Sequence, residues 1–154
     1  MLSFSGLMVA KKKYGPYSGD TLSTAERSER MSRVRSKDTR PELFVRRLLF
    51  STGYRYRLHL RSVPGTPDIV FPSRKKAIFV HGCFWHRHWE CRNTRLPKSK
   101  LEFWKPKLEG NKARDTQKQR ELLKAGWQFL IIWECEIRDD ALRNRLRSFL
   151  EEEV

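Results

Sequence analysis

The sequence predicts an α/β fold in which one mixed sheet carries helices on its faces. Three observations point there. A stretch with helical spacing, Leu43 to Phe50, precedes short strand-like runs over residues 54–61, 68–71 and 76–81. Helical composition returns over residues 97–125, and a nearly all-apolar run, Trp127 to Trp133, follows it. A last helical segment closes the order helix, strands, helix, strand, helix, which packs helices against a sheet.

The chain has 154 residues, enough for one ordinary core, and carries 33 Lys and Arg against 18 Asp and Glu for a formal charge of +15. Such a surface attracts polyanions, of which nucleic acid is the commonest inside a cell. No run approaches the roughly 20 apolar residues of a membrane span. Met1 to Ala10 is mildly apolar, but Lys11, Lys12 and Lys13 follow it, the wrong order for a signal peptide. An odd number of cysteines, three, argues against a secreted disulfide framework, so a cytoplasmic protein is expected.

Residues 1–24 read as a flexible basic arm and residues 25–154 as a single domain. Thr24 to Lys37 is basic and helical or partly ordered, with Met31 and Val34 its sizeable apolar residues. They either pack on the core or stand out as wedges for DNA. Thr39 and Glu42 have the spacing of a capping box and Pro41 suits a first turn, so a helix starts here. It places Phe44, Val45, Leu48 and Leu49 on one face, turns Arg46 and Arg47 elsewhere, and stops at Gly53. Tyr54 to Arg61 alternates strictly, predicting a half-buried strand with Arg, Arg, His and Arg outward. After the Pro64-Gly65-Thr66-Pro67 turn, Asp68 to Phe71 and Lys76 to His81 form a hairpin. Pro106 interrupts the helical composition of residues 97–110. A separate amphipathic helix covers residues 111–125, with Leu122 and Leu123 inward, ending at Gly126. Trp127 to Trp133 reads as a fully buried central strand. Asp139 and Asp140 cap the last helix, Ala141 to Glu152.

Two clusters carry chemistry. The thiols stand as Cys83-x4-His88-x2-Cys91 followed, after a long gap, by Cys135. A Cys3His set suits a closed structural zinc site, because borderline-soft zinc favours thiolate and imidazole. His86 is the other candidate imidazole, and Cys135 is alternatively a small core residue at a strand end. The second cluster is Asp68 at the start of one strand, His81 at the end of its neighbour, and His86 in the loop beyond. Phosphodiester cleavage needs a hard cation on oxygen ligands, a water to activate and charge relief at the leaving oxygen. An Asp, a Glu and one or two His at sheet edges supply that; singly, each also reads as a turn carboxylate, a helix cap or a hydrogen-bonded strand-end histidine.

Three stretches in order resemble one family: Met31-Ser32-Arg33-Val34-Arg35-Ser36-Lys37-Asp38-Thr39-Arg40-Pro41-Glu42, Pro64-Gly65-Thr66-Pro67-Asp68 and Val80-His81-Gly82-Cys83-Phe84-Trp85-His86. They are similar to the very-short-patch-repair mismatch endonucleases, and Trp127 to Cys135 fits that family's last strand. The resemblance covers roughly residues 25–150. It implies a restriction-endonuclease-like core with a structural zinc, and a magnesium-dependent nick 5′ of the thymine in a T·G mismatch. Asp68 would hold magnesium with the Val80 backbone carbonyl, His86 would activate or orient the attacking water, and His81 and Glu42 would support metal-bound waters. Cys83, His88, Cys91 and Cys135 would hold zinc. Phe84, Trp85 and Trp104 would insert beside the mismatch, with Met31 and Val34 wedging from the opposite groove. The implied partner is double-stranded DNA with a T·G mismatch, met by a monomer in a bacterial, nucleoid-associated setting, alongside mismatch-repair proteins. Where restriction-type nucleases follow the Asp with Glu-x-Lys, this chain has Phe79-Val80-His81, so no lysine enters the mechanism.

Overall fold

A computed structural model describes residues 22–138 and 140–152. Most of the arm expected at residues 1–24 lies outside them. Where description begins, Ser23 already caps helix α1 (Thr24–Ser32) with a reciprocal capping box to Glu26. Thr39 caps α2 (Arg40–Ser51), accepting the Glu42 N–H. Strands β1 (Arg57–Leu58), β2 (Ile69–Phe71) and β3 (Lys76–His81) follow, then α3 (Leu101–Lys124), β4 (Gln128–Trp133) and α4 (Ala141–Glu151). The sheet order is β1-β2-β3-β4, antiparallel except for the parallel β3–β4 pair, so the sheet is mixed as expected.

Alternation along β3 divides the core. Ile78 and Val80 face a cluster with Val45 and Leu49 of α2 and Leu142, Leu146 and Leu150 of α4. Ala77 and Phe79 face the opposite way, onto Leu122 of α3 and Val63. The result is three layers, with α2 and α4 on one face of the sheet and α3 on the other. At one sheet end Lys76 is fully buried, and its Nζ donates to the carbonyls of Phe149 and Glu152 at the C-terminus of α4. The helix dipole and the orphan carbonyls there stabilise that buried ammonium.

Several expectations are corrected. The buried face of α2 is Glu42, Val45, Arg46 and Leu49, whereas Phe44 is exposed. Arg46 turns inward because the buried Glu42 carboxylate meets it there, with the exposed Asp38 carboxylate on its other terminal nitrogen. The alternation of residues 54–61 holds only to Tyr56: Tyr54 and Tyr56 pack edge-on against Phe71, but Leu58 is exposed and the strand spans two residues. His59, with φ of 45°, breaks the alternation and turns its ring inward. Pro106 does not split residues 97–125; α3 runs through it for 24 residues, about 36 Å at the usual rise. Burial of Trp104 and Leu108 on either side of the proline offsets the roughly 3 kcal/mol that a proline costs inside a helix through its lost hydrogen bond and ring clash. Leu122 is buried but Leu123 is exposed. The apolar run of β4 is an edge strand, half-buried apart from Ile132, because it pairs with β3 alone. Of the two aspartates expected to cap α4, Asp140 stands at the cap without a side-chain cap hydrogen bond, and Asp139 lies outside the described residues. Among the described residues no helix is long and apolar enough to cross a membrane.

Because β2 runs antiparallel to β3, Asp68 before β2 comes to the same sheet end as His81 closing β3. Because β4 runs parallel to β3, Trp133 and the turn after it arrive there too. Both candidate clusters are built at this end.

Candidate active site and metal centre

Asp68 follows a tight turn in which Thr66 (φ 47°) and Gly65 (φ 79°) both adopt left-handed backbone. Its Oδ2 accepts the Val80 N–H at 2.7 Å. Burial pushes its carboxyl from the ordinary 3.8 up to about 6, and the negative charge of Glu42 pushes the same way, against the opposing Val80 hydrogen bond. Glu42 is buried in the first turn of α2. Its Oε1 accepts the Thr39 hydroxyl at 3.0 Å, and its Oε2 accepts the Asp38 N–H and an Arg46 N–H, each at 3.0 Å. Glu42 is therefore both a helix cap and a wall of the site, reaching back one residue further than a standard capping box.

His81 and His86 stack face to face, ring centroids 3.8 Å apart and planes 7° from parallel. Burial drives His81 from the usual 6.5 down to about 3, reinforced by His86, so it is neutral at physiological pH. His86 Nδ1 lies 2.5 Å from Oδ2 of Asp115 on α3. A carboxylate only accepts, so Nδ1 carries the proton and Nε2 keeps the lone pair, the arrangement of a base with an orienting acid. Gly82 makes room for the loop beyond: a Cβ there would meet Trp85 Cδ1 at 3.3 Å. Asn111 of α3 ties that loop by donating to the Trp85 carbonyl at 3.2 Å.

Asp68, Glu42, His81, His86 and Asp115 line one cleft of about 640 Å³. Met31, Val34 and Trp85 line it too, with Lys107 and Lys118. Phe84 and Trp85 pack edge to face at 5.1 Å, each also against Trp104. Trp104 itself is buried, so it is the base of this aromatic group, not its exposed edge.

Cys83, His88, Cys91 and Cys135 offer one ligand atom each, all within 4.8 Å of one another. His88 Nδ1 lies 3.4 Å from the sulfurs of both Cys83 and Cys135. A tetrahedral ion with ordinary Zn–S and Zn–N bonds spaces sulfur and nitrogen by about 3.5 Å, so the set is able to hold zinc. His88 completes the set while His86 points to Asp115, and Cys135 is exposed rather than a core thiol. The His88 ring stacks on Trp133 at 4.2 Å, and the Cys83 N–H donates to Glu134 at 3.0 Å.

Sequence reasoning missed Asp115, Arg46 and His59. Asp115 had a weak signal as the single aspartate in the basic run 111–120; Arg46 and His59 had none, since each sat on a face read as solvent-facing.

A family profile described as DNA mismatch endonuclease Vsr matches residues 19–93. A type II nicking enzyme of Xanthomonas oryzae is 55% identical over 133 residues, 86% of this chain and 97% of its own length. A type II nicking enzyme of Neisseria meningitidis is 40% identical, over 86% of this chain and 95% of its own. DNA mismatch endonuclease Vsr of Escherichia coli is 36% identical, over 85% of this chain and 87% of its own.

Proposed function

We propose that this chain, which belongs to the Vsr family and is a DNA nicking endonuclease, hydrolyses one phosphodiester of a base-mismatched duplex in the cleft floored by Asp68. The observation that carries the reading is the meeting, in one cleft, of two carboxylates, a His–Asp pair and the apolar side chains of Met31, Val34 and Trp85.

Asp68 and the Val80 backbone carbonyl would hold a magnesium ion, whose charge would stabilise the phosphorane-like transition state and the leaving oxygen. A buried carboxylate offered to the cleft fits such a hard cation. His86, held through Nδ1 by Asp115, takes the proton of the attacking water at Nε2. His81, neutral and stacked on it, fixes the plane of that ring. Glu42, whose own donors fix its position, accepts hydrogen bonds from ordered water. Water oxygen bonds to phosphorus as the bond to the 3′ oxygen breaks, leaving a 3′ hydroxyl and a 5′ phosphate. Cys83, His88, Cys91 and Cys135 would hold zinc away from this chemistry, with no position open to substrate. One chain suffices to cut one strand.

Recognition of a T·G pair would come from Phe84 and Trp85, supported by Trp104, entering one groove while Met31 and Val34 enter the other. A wobble pair stacks poorly, so separating it from its neighbour costs less than in a regular duplex. A second reading keeps the nick but drops the mismatch: the relatives of 55% and 40% identity are named type II nicking enzymes, which favours a nick that does not depend on a T·G pair. End-labelled duplexes with T·G, T·A or C·G at one position, each with magnesium, decide between them. Cutting of T·G alone, lost in Asp68→Asn, supports the mismatch reading. Cutting of a fully paired duplex as readily as the T·G duplex supports the second reading, and binding without cutting of any leaves a DNA-binding protein.

A further inference from the structure

Behind the cleft, a charged chain runs through residues that none of the roles above uses. Arg46, buried on α2, donates through one terminal nitrogen to Asp38 at 2.6 Å. Its other terminal nitrogen lies 3.0 Å from Glu42 Oε2 and 3.1 Å from His59 Nε2. The opposite nitrogen of that ring, His59 Nδ1, lies 3.9 Å from Asp68 Oδ1. One imidazole thus stands between the two carboxylates of the site, linked to Glu42 through Arg46.

A guanidinium has donors only. Nε2 also lies 3.9 Å from Glu42 Oε2, but the Arg46 N–H at 3.1 Å is the nearer group, so the lone pair points there. The ring's proton then sits on Nδ1, facing Asp68. Since Oδ2 of Asp68 already accepts the Val80 N–H, an N–H on the Oδ1 side addresses the carboxylate from both oxygens. The separation of 3.9 Å is too long for a direct hydrogen bond, and is closed by a small ring rotation or acts through the field of the N–H. Asp38 and His59 both hold left-handed backbone, φ 53° and 45°, a conformation that L residues pay to adopt and that persists where surrounding contacts impose it.

We propose that Arg46 and His59 are a positioning pair: Arg46 fixes His59 as the neutral Nδ1–H form, and that N–H orients the Asp68 carboxylate toward the cleft. The role rests on reading Asp68 as the catalytic carboxylate. The same contacts explain why the Asp38, Glu42 and His59 group, though close enough to hold a cation, does not need one: the guanidinium already occupies the middle of it. Through Asp38 the pair also ties the α1–α2 connection, which carries Val34, to the carboxylates.

The first test needs no substitution. Nitrogen-15 NMR of the imidazoles, on zinc-loaded full-length protein without magnesium at mildly alkaline pH, shows which His59 nitrogen carries the proton. Nδ1 is expected; a proton on Nε2, or on both, overturns the pair. The second test uses amide geometry. The nitrogen of an asparagine amide falls near Nδ1 of histidine, and that of a glutamine near Nε2. His59→Ala should lower kcat by about 10- to 100-fold, with KM for DNA little changed. His59→Asn should recover most of that loss and His59→Gln should not. Equal loss in all three, or recovery by Gln alone, overturns the proposal. Failure of the wild type to nick any duplex would instead sink the nuclease reading, while the NMR result still decides the tautomer.

Discussion

The thiol cluster and the carboxylate cleft share one sheet end but satisfy their polar groups in opposite ways. In the thiol cluster the donor atoms face one another, Nδ1 of His88 3.4 Å from two sulfurs, and all four are close enough to share one ion. In the cleft each reactive group is held by the protein itself: Asp68 by Val80, Glu42 by Thr39, Asp38 and Arg46, and His86 by Asp115. Their remaining valences face a cavity. A closed set staples the chain, and an open, pre-positioned set acts on something that enters.

The largest effect expected follows from the staple. Cys83 is fully buried, at the turn leaving β3, and Cys135 follows β4, so the cluster joins loops after the two parallel strands. Cys83→Ser should release bound zinc and remove a large part of the roughly 10 kcal/mol that structural zinc contributes in small domains. Metal analysis with thermal melting checks this. A variant that loses zinc yet melts and nicks like wild type would break the contrast between staple and working site.

Asp68→Asn should do the reverse. Nicking should fall by several kcal/mol of barrier, on the order of a thousandfold, with DNA affinity retained. The folded protein should become more stable. Asp68 is raised from 3.8 to about 6, chiefly by burial, so its protonated form is favoured in the folded state. That contribution is fully present below the unfolded value of 3.8 and is lost as pH rises through about 6. At pH 7 the ionised carboxylate therefore costs up to about 3 kcal/mol in magnesium-free protein, which the amide avoids. Denaturant unfolding should show the variant's advantage at about half its full size at pH 5 and at its full size at pH 7.5. Magnesium should raise the wild-type melting temperature and leave the variant's unchanged.

A smaller effect separates the base from its support. Asp115→Asn keeps a hydrogen-bonding group near His86 but removes the charge that orients it. A loss in kcat of about 10- to 100-fold with little change in KM is expected from single-turnover and steady-state nicking. An unchanged kcat would mean that the 2.5 Å contact only anchors the loop to α3.

The two regions also differed in how far they could be read from sequence. The thiol cluster was legible because cysteine is rare and all three occur in it; the ambiguity between His86 and His88 needed coordinates. The hairpin that presents Asp68 was legible from its turn and its β-branched runs. The supports of the cleft were not. Asp115 comes from the middle of α3, on the other face of the sheet from α2, and no local spacing links it to His86. Arg46 and His59 were placed outward by periodicity, and tertiary charge pairing overrode that pattern. The half-exposed β4 shows the same limit: an apolar run reports hydrophobicity, and whether a strand is central depends on where its partners lie.

The smallest effect tests the rim where the cleft meets DNA. Lys107 lines the cleft, with Nζ 5.2 Å from the ring of Phe103, 5.8 Å from Trp104 and 6.0 Å from Trp85. Its ammonium sits over the aromatic group, and on the proposed reading it would meet a backbone phosphate of the bound duplex. Lys107→Met keeps the stem over the rings and removes the charge. Affinity for duplex DNA should fall a few-fold at moderate salt, and the slope of log K against log salt should flatten by about 1. The loss should be equal for mismatched and paired duplexes, because phosphate contacts position a protein without reading bases. A loss confined to the mismatched duplex would place Lys107 on the wedge itself, and move the boundary of the working site outward from the carboxylates to the aromatic group.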